Sequence, residues 1–313
     1  MKPLLLRLHR WITLVFAIPL ALLIVTGLIL SVEPIMQDAA TRGLSLPAER
    51  VLSYLAKHDP EGKARGLQIR AYENRMVLQG VGPDGSLDLD LKTGEIVDDD
   101  ERTMPSDIFG AAKGLHEHFI YDLRWVVTAS TIAMVVLIMV GVFMGWPRIR
   151  NTMSGWHQGM AWFGLPILAL SPITGLMLAY GVTFTTPLPQ DRAALPKIKE
   201  AVEMLGKARE AEKSDLGGLI WLRNRGGRLL ARVNEGGSFR VYQISRQGVQ
   251  ATQTNWPRGL HEGNAFGTWT GIMVLVTSFG FVGLMVTGLT IYVRRRFRKP
   301  NRVRNREPAA NAA

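Results

Sequence analysis

The chain has no cysteine. A metal or haem would have to be held by histidine, methionine, tyrosine or carboxylate, and disulfides, iron–sulfur clusters and covalent c-type haem attachment are excluded. Of the six histidines, His9, His116, His157 and His261 each stand at the entry of a long apolar stretch. Two imidazoles facing each other from neighbouring helices hold a haem iron on both axial sides, which leaves no open position and suits electron transfer rather than oxygen binding. The same residues admit two other readings: ligands of another metal, or hydrogen bonds between packed helices. Histidine is costly in lipid without a partner or a function. His118 reads as a rim residue and His58 as a solvated surface residue. His116-Glu117-His118 lacks the i, i+4 spacing of a helical zinc protease site, and neither a dinucleotide fingerprint nor a P-loop is present.

Which histidines meet depends on topology. Trp11 to Val32, Trp125 to Pro147, Gln158 to Gln190 and Gly263 to Val293 contain no Asp, Glu, Lys or Arg. Each is long enough to cross about 30 Å of hydrocarbon as a helix. The segments before the first, between the second and third, and after the fourth hold thirteen basic residues and one acid, +12 of the net +11, so the remainder sums to −1. By the positive-inside rule these three segments are cytoplasmic. The basic balance therefore reports topology, and nucleic acid is not an expected partner. His9 and His157 then share the cytoplasmic face, and His116 and His261 the outer face. Trp11, Trp125, Trp146, Trp156 and Trp269 fit the aromatic belts of both interfaces.

The chain also reads as a duplication. His9 with Thr26-Gly27-Leu28 recurs about 148 residues later as His157 with Thr174-Gly175-Leu176, and Pro19 corresponds to Pro166. Gly114-Leu115-His116-Glu117 recurs as Gly259-Leu260-His261-Glu262, and Gly141 corresponds to Gly288. Between 18 and 27 residues separate each histidine from the glycine at the far end of its stretch. At about 1.5 Å per residue this puts Gly27 and Gly175 near the outer histidines and Gly141 and Gly288 near the inner ones. A glycine there would let a flat macrocycle lie against the backbone; on its own it reads equally as a helix-packing contact. The outer segments carry helical patterns at Ala48 to His58 and Leu195 to Lys213. Strand-like runs follow at Gly66 to Ala71, Arg75 to Val81, Ser86 to Leu91, Gly218 to Arg223, Arg228 to Val233 and Ser238 to Ile244.

Leu8-His9-Arg10-Trp11 with Thr26-Gly27, the Lys92-Thr93-Gly94-Glu95 turn, Gly114-Leu115-His116-Glu117 and Gly155-Trp156-His157 together resemble the PepSY-associated transmembrane family over roughly residues 1–298. The resemblance implies a multi-pass protein of the bacterial inner membrane, with both termini cytoplasmic, and some relatives are di-haem siderophore–iron reductases of the FoxB type. It implies two b-type haems, one held by His9 and His157 and one by His116 and His261, packed by Gly27, Gly175, Gly141 and Gly288. A ferric siderophore in the periplasm would be the acceptor, and the electron donor is unknown. The expected fold is a membrane all-α four-helix bundle, a duplicated two-helix unit, with two small α+β PepSY-like periplasmic domains. The expected spans are 11–33, 122–147, 157–181 and 266–293. Domains at 34–113 and 182–260, a cytoplasmic N-terminus at 1–10, a loop at 148–156 and a basic tail at 294–313 complete the layout. Ser245-Arg246-Gln247-Gly248-Val249 replaces the Thr-Gly-Glu turn in the second outer segment. The competing expectation is a membrane-anchored PepSY binding module acting on a periplasmic protein such as a peptidase. A transporter is disfavoured because the apolar stretches hold no charged residue to couple an ion.

Overall fold

The computed structural model describes residues 2–97, 104–147, 150–186 and 195–297. Arg148 and the basic tail from residue 298 lie outside the described residues.

Each histidine-bearing segment is a helical arm broken from the helix that follows. Helix α1 (Lys2–Val15) stops at Phe16 before α2 (Ala17–Leu30), which is followed by α3 (Glu33–Thr41). After α4 (Ala48–His58) and α5 (Met104–His118) comes a break before α6 (Arg124–Phe143), where Phe119, Tyr121 and Asp122 take φ of 60, 55 and 57°. Helices α7 (Met153–Phe163) and α8 (Leu165–Ala179) meet at Gly164 with a bend of 66°. Following α9 (Ile198–Ala211), α10 (Trp256–Glu262) is separated from α11 (Thr268–Arg296) by a turn in which Gly263 and Gly267 have φ of 75 and 73°. The first and third breaks share a cause. Pro19 and Pro166 lie just past them, and proline has no N–H for the carbonyl four residues back and crowds it.

Among the described residues three helices are long and apolar enough to cross a membrane: Ala17–Thr41, in which α2 runs on into α3, then α6, then α11; the bent pair α7–α8 is a fourth only if its arms count as one span. The expected bundle of four spans carrying two small domains is therefore not what forms. The proline-induced bend interrupts the third apolar stretch. The outer segments also do not fold separately.

Strands β1 (Gly66–Arg70), β2 (Arg75–Gln79) and β3 (Ser86–Asp90) of the first outer segment join β4 (Leu219–Asn224), β5 (Leu229–Glu235), β6 (Ser238–Ser245) and β7 (Gly248–Ala251) of the second. They make one seven-stranded antiparallel sheet in the order β3-β2-β1-β4-β5-β6-β7. At the seam Gly66 pairs with Arg223, Leu67 with Leu222 and Gln68 with Trp221. Two exposed strand edges, each a row of unpaired N–H and C=O groups, cover one another there. Gly66 permits the approach, since a Cβ on it would meet Arg223 Cβ at 3.1 Å. Six of the seven strands match the expected runs; β7 falls in the segment read as a divergent turn.

The alternation of the strands divides the sheet. Leu67, Ile69, Leu222 and Ala231 point to one face, where α4 and α9 pack side by side and Val51, Leu55, Val202 and Leu205 close a single core drawn from both halves of the chain. Gln68, Trp221 and Arg232 point to the opposite face, which overlooks the outer histidines.

The sheet is tied to the spanning helices by a buried carboxylate. Asp38, at the end of the first span and 2% exposed, accepts from Thr268 Oγ1 at 2.6 Å, Arg42 at 2.6 Å and Asn234 Nδ2 at 3.1 Å. Asn234 belongs to β5 and Thr268 opens α11, so three elements converge on one side chain. Replacing Asp38 with Ala leaves those donors unanswered and is expected to cost about 2–4 kcal/mol, since hydrogen bonds to a charged group are worth more than neutral ones and stranded buried partners add to the loss. Thermal unfolding of the purified protein in detergent checks this; an unchanged midpoint refutes it.

Candidate functional site

The broken arms pack on the long helices in a repeated pattern. Helix α1 lies on α6 and α7 on α11; α5 lies on α2 and α10 on α8. Each histidine thus rests against a helix of its own half of the chain, and the opposite half supplies the imidazole that faces it. The rings of His9 and His157 have centroids 6.4 Å apart at an interplanar angle of 87°, and those of His116 and His261 are 6.2 Å apart at 45°.

Three of the four rings have the same seat. Thr26 Oγ1 lies 3.0 Å from His116 Nδ1, Thr174 Oγ1 3.2 Å from His261 Nδ1, and Thr287 Oγ1 2.9 Å from His157 Nδ1. Each hydroxyl also donates to its own helix, to the carbonyls of Leu22, Leu170 and Gly283 at 2.7, 2.8 and 2.6 Å. With its proton given away, the threonine oxygen accepts, and the imidazole Nδ1–H donates. His261 Nδ1 also lies 3.1 Å from the Ser171 carbonyl, which can only accept. A protonated Nδ1 leaves the lone pair on Nε2, the tautomer that ligates a metal, with the second hydrogen bond orienting the ring.

The glycine after each threonine makes room for the ring. A Cβ at Gly27 would stand 3.4 Å from His116 Cε1, at Gly175 3.1 Å from His261 Cε1, and at Gly288 3.4 Å from His157 Cε1. These glycines touch a histidine of their own half. The fourth seat differs. Val140 stands where the other helices have threonine, a Cβ on Gly141 would meet nothing within 4 Å, and His9 Nδ1 is buried without a hydrogen-bond partner. The threonines are the site residues that the sequence reading missed. Thr287-Gly288-Leu289 repeats Thr26-Gly27-Leu28 and Thr174-Gly175-Leu176, and that third copy was the available signal.

The ring spacing can be set against the chemical alternatives. Two imidazoles joined by a direct N–H···N hydrogen bond of about 2.9 Å would have centres about 5.2 Å apart. Two on a tetrahedral ion, with metal–nitrogen bonds of about 2.0 Å, would have centres about 5.1 Å apart. Two on opposite sides of one ion come to about 6.3 Å with the same bond length. The observed 6.2 and 6.4 Å are longer than the first two figures and match the last, a spacing that two rings in edge contact also adopt. Among the described residues no group of three or more His, Cys, Asp or Glu could complete a metal site. An ion held between such a pair would need a further bound ligand, and the two histidines of each pair would be the residues to hold a haem.

Electrostatics around the outer pair favours neutral rings. Burial, and then the facing His261, push His116 down to about 4. Beside His261, burial works against ionisation of Glu262, but Arg232 and Arg258, both 2.7 Å away, outweigh it and hold the carboxyl well below the usual range. His118 stands at the rim, 3.0 Å from Asp122. His58 is half-buried, with Nε2 2.8 Å from the Gly94 carbonyl, so it closes the Thr-Gly-Glu turn instead of lying free in solvent.

Among curated proteins none matches the chain. The family model described as the PepSY-associated TM region matches residues 6–295, a stretch that takes in both histidine pairs and the whole sheet, and the chain belongs to that family.

Proposed function

We propose that this chain is a b-type haem protein of the bacterial inner membrane that passes electrons from the cytoplasmic side or the quinol pool to a ferric siderophore in the periplasm. The observation that carries the reading is the ring spacing of 6.4 and 6.2 Å in two imidazole pairs, each drawn from both halves of the chain. His9 and His157 would hold the inner haem and His116 and His261 the outer one. When bound, the haems supply one-electron carriers with no open iron position. Thr26, Thr174 and Thr287 accept from the Nδ1–H groups, and Gly27, Gly175 and Gly288 let the Cε1–Nδ1 edges of the rings approach their helices closely.

The termini are assigned to the cytoplasm because Arg7 and Arg10 flank His9 and Arg294, Arg295 and Arg296 end α11. The sheet then lies in the periplasm, above the outer pair. A siderophore's hard oxygen donors hold Fe(II) less firmly than Fe(III), because the reduced ion has lower charge and is softer, so reduction releases the iron. The competing reading, a membrane-anchored PepSY module that binds a periplasmic protein such as a peptidase, gives the paired imidazoles no task.

The purified protein is expected to show a Soret band and two haems per chain. His116→Ala or His261→Ala should each remove one haem and abolish oxidation of the reduced protein by ferric siderophores, with the sheet still folded by circular dichroism. A colourless wild-type protein, or variants that keep full haem content, would end this reading.

The unequal seats generate a second expectation. An Nδ1–H that donates makes an imidazole a stronger electron donor and favours the oxidised metal. Val140→Thr offers His9 the acceptor it lacks and should lower the midpoint potential of the inner site while leaving the outer one in place. Thr287→Val should raise it. Spectroelectrochemical titration resolves both, and shifts of the opposite sign would refute the assignment of His9 and His157 to one site.

A further inference from the structure

The open face of the sheet and the outer histidine pair line one cavity of about 910 Å³, whose inner part around His116, His261, Gly27 and Gly175 would be taken by the proposed haem and whose outer part is a cleft beneath the sheet. Its lining holds eight cationic side chains and three carboxylates, a net of +5. Part of that charge is answered nearby. Arg124 meets Asp122 at 2.9 Å, Arg240 meets Glu235 at 3.2 Å and Arg70 lies 3.7 Å from Glu73.

Of the remaining five, Lys113 neighbours Glu33, and the other four are guanidinium groups, two of them on one carboxylate. Arg232 and Arg258 share Glu262. Arg223 and Arg225 have no carboxylate partner among the described residues, and Arg223 Nε is buried without a hydrogen bond. Burial, and then the neighbouring Arg225, Arg232 and Arg258, push Arg223 below its ordinary value. Gathering like charges in a partly dry cleft is unfavourable unless an anion arrives to neutralise them. The cations are also mounted on flat apolar surfaces: Arg223 lies 4.4 Å over the Trp221 ring and Arg232 5.0 Å over Phe239. Such a guanidinium can stack while it points its N–H groups at oxygen.

We infer that this cleft binds a compact, multiply negative, oxygen-rich ligand carrying aromatic faces, and that Arg223 and Arg225 are its principal recognition residues. In the frame of the proposed reductase, on which the assignment to substrate rests, the acceptor is an anionic ferric chelate of the catecholate class, not a neutral or cationic one. An anionic lipid headgroup offers related charge chemistry. The stacked guanidinium planes, which can face aromatic rings as well as oxygen, favour the chelate.

Gallium(III) chelates test binding apart from electron transfer, because gallium matches iron(III) in charge and approximate size but is not reduced. With the full chain in zwitterionic lipid nanodiscs, calorimetry should show binding of triply negative gallium tris(catecholate), weakening as ionic strength rises. Neutral gallium tris(acetohydroxamate) should bind at least tenfold more weakly. Arg223→Gln and Arg225→Gln should each reduce catecholate affinity about tenfold or more with an unchanged thermal midpoint, and Arg223→Lys should recover part of the loss. Equal affinity for the two chelates, or Arg variants that bind as wild type, would overturn the inference. So would phosphatidylglycerol in the nanodisc abolishing chelate binding through the same arginines, since the occupant would then be lipid. If the gallium results hold and the iron complex fails to oxidise the reduced protein, the reductase reading falls and the anion site stands.

Discussion

An imidazole at a membrane surface must satisfy one nitrogen and aim the other, and the arrangement of this molecule follows from how it does so. A threonine in a neighbouring helix donates its O–H to that helix's own carbonyl and accepts the hydrogen bond of the histidine Nδ1–H, as Thr26, Thr174 and Thr287 do. The next residue is glycine, so the ring can rest on bare backbone. This two-residue seat fixes tautomer and direction together. A ring seated this way loses rotational freedom before any partner is bound, which lowers the cost of holding a ligand at its Nε2.

Seating the rings demands broken helices. In a straight helix running through the bilayer a histidine side chain projects roughly across the axis, and its reach is set by that helix alone. Here each histidine sits on an arm set apart by proline or by residues at positive φ, so the arm can pack on a second helix independently of the span that follows. The breaks remove continuous spanning length from the third apolar stretch, while the arms bring His9 to His157 and His116 to His261.

The cross-pairing was legible because duplication puts corresponding residues on the same membrane face, and six strands were legible from their alternation. The breaks were written in Pro19 and Pro166, but charge-free length is indifferent to direction and reads a bent pair as one span. The fused sheet was hidden for a different reason. Local periodicity identifies a strand but not which strand completes its edge, and the β1–β4 seam joins residues more than 150 positions apart. The threonine seats were hidden because threonine inside an apolar helix ordinarily bonds its own backbone. These threonines do that as well, and only the spatial neighbour shows the second role.

Duplication also explains why the sheet and the histidine pairs belong to one design. Each outer half would present an open strand edge and each membrane half two unfaced imidazoles, one at each surface. Joining the halves resolves both deficits by the same pseudo-symmetric contact: β1 meets β4 on the outside while opposite imidazoles meet at each surface. Asp38 couples the two levels, since it links the end of the first span to β5 and to the start of α11. Symmetry is then free to relax where function differs. The outer pair has both rings seated by threonine and lines a cavity rich in cationic side chains. The inner pair has lost one seat at Val140, and His9 is left with a buried, unanswered Nδ1. A strictly symmetric molecule would hold both pairs alike. This one distinguishes them at a single residue that touches neither the sheet nor the cleft, so the two sites can be tuned separately without disturbing the interface that builds them.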